Sequence, residues 1–131
     1  MYLVDSHVFL WCLFKPERLS DSARHVLADA GAEVFVSTVT FWELSLKHGL
    51  GKLDLEGVTP DMFPDAAAEA GLVIMPLDAS VAASFHRLPR EAHKDPFDRM
   101  LAWQAIHGGC QLISSDAELE SYRKYGLRIL W

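Results

Sequence analysis

The stretch HKDPFDRMLAWQAIH, residues 93–107, decides the fold that we predict for this chain. Asp95 is a typical N-cap residue, and Pro96 is favoured at the first helical position because it lacks the amide hydrogen that a helix start leaves unpaired. Two glycines after the stretch provide a helix stop. Because most residues between these signals are apolar, we expect a largely buried helix that carries Asp98 in its first turn.

Asp98 by itself allows two interpretations. An acid at the third helical position gains about 0.3 to 1 kcal/mol from the helix dipole, and Lys94 or Arg99 can screen its charge. A carboxylate on the core-facing side of a helix must instead be compensated by a charged partner or a metal ion. Taken alone, the role at the helix start is the simpler interpretation, so a chemical role depends on other acids that reach the same place.

Short apolar runs alternate with helical segments along the whole chain. The predicted strands cover residues 2–4, 34–36, 72–75, 111–114 and 128–130, and the predicted helices cover residues 7–14, 20–30, 38–47, 59–70, 79–88 and 96–107. This alternation is typical of an α/β domain with helices on both faces of a mainly parallel sheet. We therefore predict a three-layer α/β/α fold with four to five central strands and a single domain over residues 1–131.

Four acids are predicted to meet at one edge of this sheet. Asp5 follows the first strand directly and Asp116 follows the fourth. Glu43 lies two turns into the helix after the second strand, while Asp98 opens the helix before the fourth strand. Ligands of parallel α/β sheets bind outside the carboxyl ends of the strands, so these four side chains are expected to share one cleft.

Carboxylates that are forced together repel one another unless a cation joins them. Hard oxygen ligands suit Mg²⁺ or Mn²⁺, and such sites hydrolyse phosphodiester bonds by activating water and stabilising the leaving oxygen. We predict that Asp5 and Asp98 bind the metal directly. Glu43 and Asp116 are expected to orient metal-bound water or to hold a second ion.

Four further residues are candidates for supporting roles. The hydroxyls of Ser6 and Ser114 lie next to the acids in sequence and can donate hydrogen bonds to them, although serine at a strand end is more often a turn or cap residue. Lys47 follows Glu43 by four residues, so an ion pair on the helix is slightly favoured over a contact with an RNA phosphate. Arg99 belongs to a basic stretch, residues 86–99, which is a candidate RNA-backbone contact or a solvated loop.

The composition restricts the function further. Twelve basic and eighteen acidic residues give a net charge of -6, which argues against binding nucleic acid by bulk charge alone but is compatible with a metal-dependent enzyme. Two cysteines without CxxC spacing indicate reduced thiols in a cytoplasmic protein. Neither a signal peptide nor a membrane-spanning run is visible, and the six histidines lack zinc-site spacing.

Four blocks of the sequence carry a resemblance to a known family. They are YLVDSHVFLW at 2–11, STVTFWELSLKHGLGKL at 37–53, HKDPFDRMLAWQA at 93–105 and LISSDAELESY at 112–122. The chain resembles PIN-domain ribonucleases, specifically the VapC-type toxins of type II toxin-antitoxin systems. The departures are mild, since Ser6 and Ser114 stand where threonine is frequent.

The resemblance implies a fold and a function. Asp5, Glu43, Asp98 and Asp116 match the acidic site of the family, and Ser114 matches the hydroxyl residue two positions before the last acid. It also implies a Mg²⁺- or Mn²⁺-dependent endoribonuclease that is commonly a homodimer and is inhibited by a cognate antitoxin. The RNA that is cut does not follow from the resemblance.

Two alternatives remain open at this stage. A phosphohydrolase with an aspartate nucleophile would usually carry an acid two residues after Asp5, where this chain has His7. A non-catalytic PIN-like module would bind RNA or protein without turnover. Two surface expectations also remain: residues 60–64, with Met62 and Phe63 exposed, as an antitoxin contact, and the tryptophans as core or dimer contacts rather than base-stacking platforms.

Overall fold

The computed structural model describes residues 1–91 and 93–131. Its centre is a five-stranded sheet in the order β3-β2-β1-β4-β5, and every neighbouring pair is parallel. The strands are β1 (Tyr2–Val4), β2 (Val34–Ser37), β3 (Val73–Met75), β4 (Gln111–Ile113) and β5 (Arg128–Leu130). This order confirms the predicted parallel α/β/α architecture and puts β1 at the middle of the sheet.

Helices connect the strands. They are α1 (Ser6–Phe14), α2 (Asp21–Ala28), α3 (Thr38–Gly49), α4 (Phe63–Glu69), α5 (Ala79–Ser84) and α6 (Pro96–Gly108), with 3₁₀ segments at Pro16–Arg18, Pro60–Met62, Phe85–Arg87 and Ala117–Tyr125. Parallel strands require such crossovers because a tight turn cannot join two strands that run in the same direction.

The centre of the sheet is buried on both faces, as successive residues of its central strands show. Leu3 belongs to one hydrophobic cluster and Val4 to the other, and the same alternation separates Leu112 from Ile113 in β4. Side chains of a strand point alternately to the two faces, so each cluster lies on its own face. All four residues are fully buried, which explains why these strands are apolar throughout instead of alternating with polar residues.

Helix α6 has the boundaries that its sequence signals predict. The Asp95 carboxylate accepts a hydrogen bond from the Phe97 amide at 2.9 Å, and Gly109 ends the helix with a left-handed φ of 64°. Leu101 and Ala102 are fully buried in the second cluster. The cap and the apolar side together fix where the first turn of α6 lies relative to the sheet.

Three local expectations are wrong. The segment from Pro60 is a 3₁₀ turn followed by α4, not one helix, and this turn directs Phe63 into the core, where it packs edge-on against Phe9 with ring centroids 5.5 Å apart. Met62 is exposed as expected, but Phe63 is not. Trp42 is 64% exposed, with its ring centroid 5.1 Å from that of Phe97, so of the two predicted roles only the dimer contact stays a prediction. The predicted helix over 79–88 ends at Ser84 and continues as a 3₁₀ turn.

Within residues 1–91 and 93–131, the helices are too short or too polar to span a lipid bilayer.

Candidate active site

Asp5 lies at the carboxyl end of the central strand and starts α1. Its backbone amide donates to the Ile113 carbonyl at 3.1 Å, which ties it to β4. One carboxylate oxygen accepts a hydrogen bond from the Val8 amide at 2.8 Å and so caps α1. The side chain is 3% exposed. Asp5 is therefore an N-cap and a buried acid at the same time.

Ser114 connects Asp5 to Asp116. A hydrogen bond from its side chain stabilises the charged form of Asp5, and its hydroxyl oxygen accepts from the Asp116 amide at 3.1 Å. One oxygen of Asp116 accepts from the Glu118 amide at 2.9 Å and caps the 3₁₀ segment that begins at Ala117. The serine thus holds the chain after β4, and the second Asp116 oxygen, Oδ2, faces His93.

Glu43 is held by side chains on both sides. Ser6 donates to its Oε1 at 2.6 Å and in turn accepts from the Thr40 hydroxyl at 3.1 Å. Lys47 donates to Oε2, which is the ion pair that the i,i+4 spacing predicts. Glu43 is only 2% exposed, and these donors compensate a carboxylate that water barely reaches.

His93 joins Asp98 to Asp116, a link that the sequence analysis did not predict. Its Nδ1 accepts from the Asp95 amide at 3.2 Å, so Nε2 carries the hydrogen, and that nitrogen lies 2.7 Å from Asp116 Oδ2 and 3.3 Å from Asp98 Oδ2. The imidazole is 6% exposed. His93 lies within the basic stretch 86–99, for which the sequence left open an RNA-backbone contact or a solvated loop. Its position two residues before the N-cap Asp95 was a usable signal, since it puts the ring beside the first turn of α6.

The acids also interact through their charges. Burial raises the pKa of Asp98 to about 7, with further contributions from the carboxylates of Asp95, Glu43 and Asp5, while His93 acts in the opposite direction. Burial likewise raises the pKa of Asp5, and the charge of Asp116 adds to the increase. These mutual effects show that the structure brings the four predicted acids together at the carboxyl edge of the sheet.

The two residues predicted to bind RNA lie in different surroundings. Burial lowers the pKa of Lys47, but the hydrogen bond and charge of Glu43 outweigh it and the pKa rises. Arg99 points away from the acids: it donates to the Tyr122 hydroxyl at 3.1 Å and to the Leu88 carbonyl at 3.0 Å, with its guanidinium 4.8 Å from the Phe85 ring centre. These contacts give Arg99 a role in packing, and its contact with RNA stays a prediction.

The chemistry of these donors fits a divalent metal ion. Ligand atoms of His93, Asp98 and Asp116 all lie within 4.8 Å of one another. A cluster rich in carboxylate oxygens suits Mg²⁺ or Mn²⁺. Burial and the neighbouring carboxylates raise the pKa of Asp98, and a bound cation would act in the opposite direction.

The model of the PIN domain family matches residues 2–125. The chain belongs to the PIN domain family. This PIN domain is 31% identical over 121 residues to Ribonuclease VapC22 of Mycobacterium tuberculosis, a match that covers 92% of this chain and 91% of that relative. The resemblance to VapC-type ribonucleases is thereby confirmed.

Solved structures agree on the fold. VapBC2 from Rickettsia felis, bound to a DNA fragment from its promoter, superposes with a TM-score of 0.70 at 17% identity and covers 98% of this PIN domain and 96% of that chain. FitAcB from Neisseria gonorrhoeae gives a TM-score of 0.61 at 20% identity, covering 100% and 97%. At these identities the likeness establishes the three-layer architecture and leaves function to the site.

Proposed function

We propose that this PIN domain is a Mg²⁺- or Mn²⁺-dependent endoribonuclease and the toxin of a type II toxin-antitoxin pair. The observation that carries the proposal is the convergence of buried acids at one sheet edge: Asp5 and Glu43 are 3% and 2% exposed, and Asp98 and Asp116 lie 3.3 Å and 2.7 Å from the same nitrogen of His93. Similarity to Ribonuclease VapC22 over nearly the whole chain supports RNA as the substrate.

The side chains divide the work in the proposed reaction. Asp5 and Asp98 would hold the metal, while Glu43 and Asp116 would orient metal-bound water or hold a second ion. Asp116 shares a cluster of possible ligand atoms with Asp98. When bound, the ion supplies positive charge that stabilises the phosphate in the transition state and lowers the pKa of water. Ser6 and Ser114 fix the carboxylates that they contact, so that the oxygens do not have to reorganise during the reaction.

Removal of metal tests the enzymatic part. Purified protein is incubated with total cellular RNA and with a defined structured RNA, in Mg²⁺, in Mn²⁺ and in EDTA. We expect endonucleolytic cleavage with either ion and its loss in EDTA, because the carboxylates alone provide no positive charge for the phosphate. Equal cleavage in EDTA would contradict the metal dependence. RNA that is bound but never cut with either ion would support the non-catalytic alternative.

Growth assays test the toxin assignment. The resemblance to VapC-type toxins implies a small cognate antitoxin. We also expect the toxin to be a homodimer. Induced expression of the intact chain should stop growth, and co-expression of the gene beside it should restore growth. The Asp98→Asn chain is the matched control, since it keeps the fold but lacks one proposed ligand. If this variant arrested growth as strongly as the wild-type chain, the growth arrest would not result from nuclease activity.

A further inference from the structure

A cleft between α1 and α3 adjoins the acidic site and has no role in the proposed reaction so far. Its volume is about 310 Å³, which is large enough for a nucleotide-sized group. The lining residues are Ser6, His7, Leu10, Glu43, Leu44, Lys47, Lys52 and Leu53. Ser6 and Glu43 belong to both the cleft and the acidic site, so a molecule in the cleft lies directly beside the reacting groups.

The end of α3 fixes Lys52 at the wall of this cleft. Gly51 adopts a left-handed φ of 72°, the Lys52 amide donates to the Lys47 carbonyl at 2.9 Å, and the Gly51 amide donates to the His48 carbonyl at 3.0 Å. These two bonds define a Schellman motif. The next residue, Leu53, packs against the first hydrophobic cluster. The backbone of Lys52 is therefore anchored on both sides.

The residue types in this motif are unusual. In a Schellman motif, the two residues joined by the hydrogen bond with the wider sequence separation commonly carry apolar side chains that touch each other. Here those residues are Lys47 and Lys52. Glu43 compensates Lys47. Within the described part of the chain, no carboxylate lies within ion-pairing distance of the Lys52 amine, and Glu43 is the only acid among the cleft residues. The cleft thus offers an uncompensated positive charge in a protein with a net charge of -6.

The rest of the cleft also suits a nucleotide. Leu10, Leu44 and Leu53 form an apolar surface beside the two lysines. A ribose or base can pack on such a surface while its phosphate meets the ammonium groups, an arrangement that a free inorganic anion would not use. Lysine binds phosphate as a point charge and does not require a fixed approach angle.

We propose that this cleft binds a backbone phosphate of RNA adjacent to the phosphate that is cleaved, with Lys52 as its principal contact and Lys47 beside it. The inference rests on the proposed ribonuclease function and adds a substrate-binding residue to it. By holding the neighbouring nucleotide equally in the ground state and the transition state, Lys52 offsets the repulsion between the RNA backbone and the carboxylates. The uncompensated charge of Lys52 gives this acidic protein a positive contact for RNA beside its carboxylates.

RNA binding tests this inference without catalysis. The affinity of Asp98→Asn protein for a fluorescent 20-nucleotide single-stranded RNA is measured in EDTA at several salt concentrations. Adding Lys52→Ala should weaken binding roughly three- to tenfold at low salt and reduce the salt slope by about 0.7, the value for one phosphate contact. Lys124→Ala is the matched control, because Lys124 is an exposed lysine on another element. Equal affinities and slopes for the two variants would overturn the inference.

A second measurement locates the phosphate. Amide chemical shifts are recorded while adenosine 3′,5′-bisphosphate is added to wild-type protein in EDTA. We expect shifts centred on Gly51, Lys52 and Leu53 that disappear in Lys52→Ala and persist in Lys52→Arg. Shifts centred elsewhere, or none at millimolar ligand, would contradict the proposal.

Steady-state cleavage separates this inference from the proposed function. In wild-type background, Lys52→Ala should raise KM several-fold with kcat within about twofold of wild type, the pattern of a lost binding contact. Cleavage by wild type with an unchanged KM in Lys52→Ala would refute the role of Lys52 alone. Absence of any cleavage by wild type, together with Lys52-dependent RNA binding, would refute the nuclease function alone.

Discussion

The starts of α1 and α6 each need an N-cap and each place an acid in the candidate site, but they differ in how many residues do this. At α1 a single residue, Asp5, caps the helix through one oxygen and belongs to the acidic site. At α6 the two tasks are divided: Asp95 caps the helix, and Asp98 faces the other acids. The first arrangement couples stability to function at one residue, whereas the second leaves Asp98 without a capping role.

This difference has an energetic consequence. The hydrogen bond by which Asp5 caps α1 offsets part of the unfavourable free energy of burying its carboxylate. Asp98 has the nearby His93, the charge of Lys47 and the dipole of α6 to offset its burial and the charges of three other carboxylates, and its pKa of about 7 shows that they do not suffice. A buried acid that lowers stability and caps no helix is a candidate for a functional residue, because stability alone would favour its replacement.

The largest expected effect is on activity and separates Asp98 from Asp95. Asp98→Asn should lower kcat/KM for RNA cleavage by about a hundredfold or more, since a proposed metal ligand is lost. Asp95→Asn should change it by less than about threefold, because asparagine caps helices as well as aspartate. Both variants lose one negative charge from the same turn. Similar losses in the two variants would show that charge in this turn, and not the Asp98 ligand, controls activity.

The next effect is on stability and has the opposite sign to the effect on activity. The native-state pKa of Asp98 lies above its ordinary value of 3.8, so the folded protein binds an additional proton between about pH 4 and pH 7. Without metal, the free energy of unfolding should therefore fall as the pH rises through this range. Asp98→Asn should remove the part of this fall that Asp98 causes and stabilise the protein by roughly 2 to 4 kcal/mol at pH 8. The buried Asp5, whose pKa is also raised, keeps its own contribution. Urea titrations at pH 5 and pH 8 in EDTA provide the measurement.

Asp5 supplies the control for that experiment. Asp5→Asn keeps a capping oxygen for the Val8 amide, whereas Asp5→Ala removes it. The alanine variant should be less stable than the asparagine variant by about 1 kcal/mol. No stabilisation of Asp98→Asn at pH 8 would mean that another group compensates the buried carboxylate fully.

Much of the fold and of the site geometry could be predicted because both follow from short-range rules. The cap and proline before α6, and the acids directly after β1 and β4, are visible in the sequence, and parallel strands bring such residues to one edge. The convergence of Asp5 with Asp116 needed only this rule. Their catalytic role remains a prediction of the chemistry.

The positions of other side chains depend on tertiary packing, which the hydrophobic periodicity of the sequence does not report. His93 lies in a loop before α6, and its place between Asp98 and Asp116 results from how that loop packs across the sheet edge. Phe63 is buried at the first position of α4, after a 3₁₀ turn that the sequence did not indicate. Trp42 has an apolar neighbourhood in sequence but is exposed, with its ring beside that of Phe97.

The binding of metal to the acids is tested most directly by the thermal stability of protein freed of metal. Mn²⁺ and Mg²⁺ are added separately to EDTA-treated and dialysed wild-type, Asp98→Asn and Asp95→Asn proteins, and Tm is followed with concentration. A ligand that binds only the folded state raises Tm with its concentration. We predict that either ion raises the Tm of wild type and of Asp95→Asn by several degrees and leaves Asp98→Asn nearly unchanged. An equal rise in all three proteins, or none in wild type, would contradict a divalent-metal site built on Asp98.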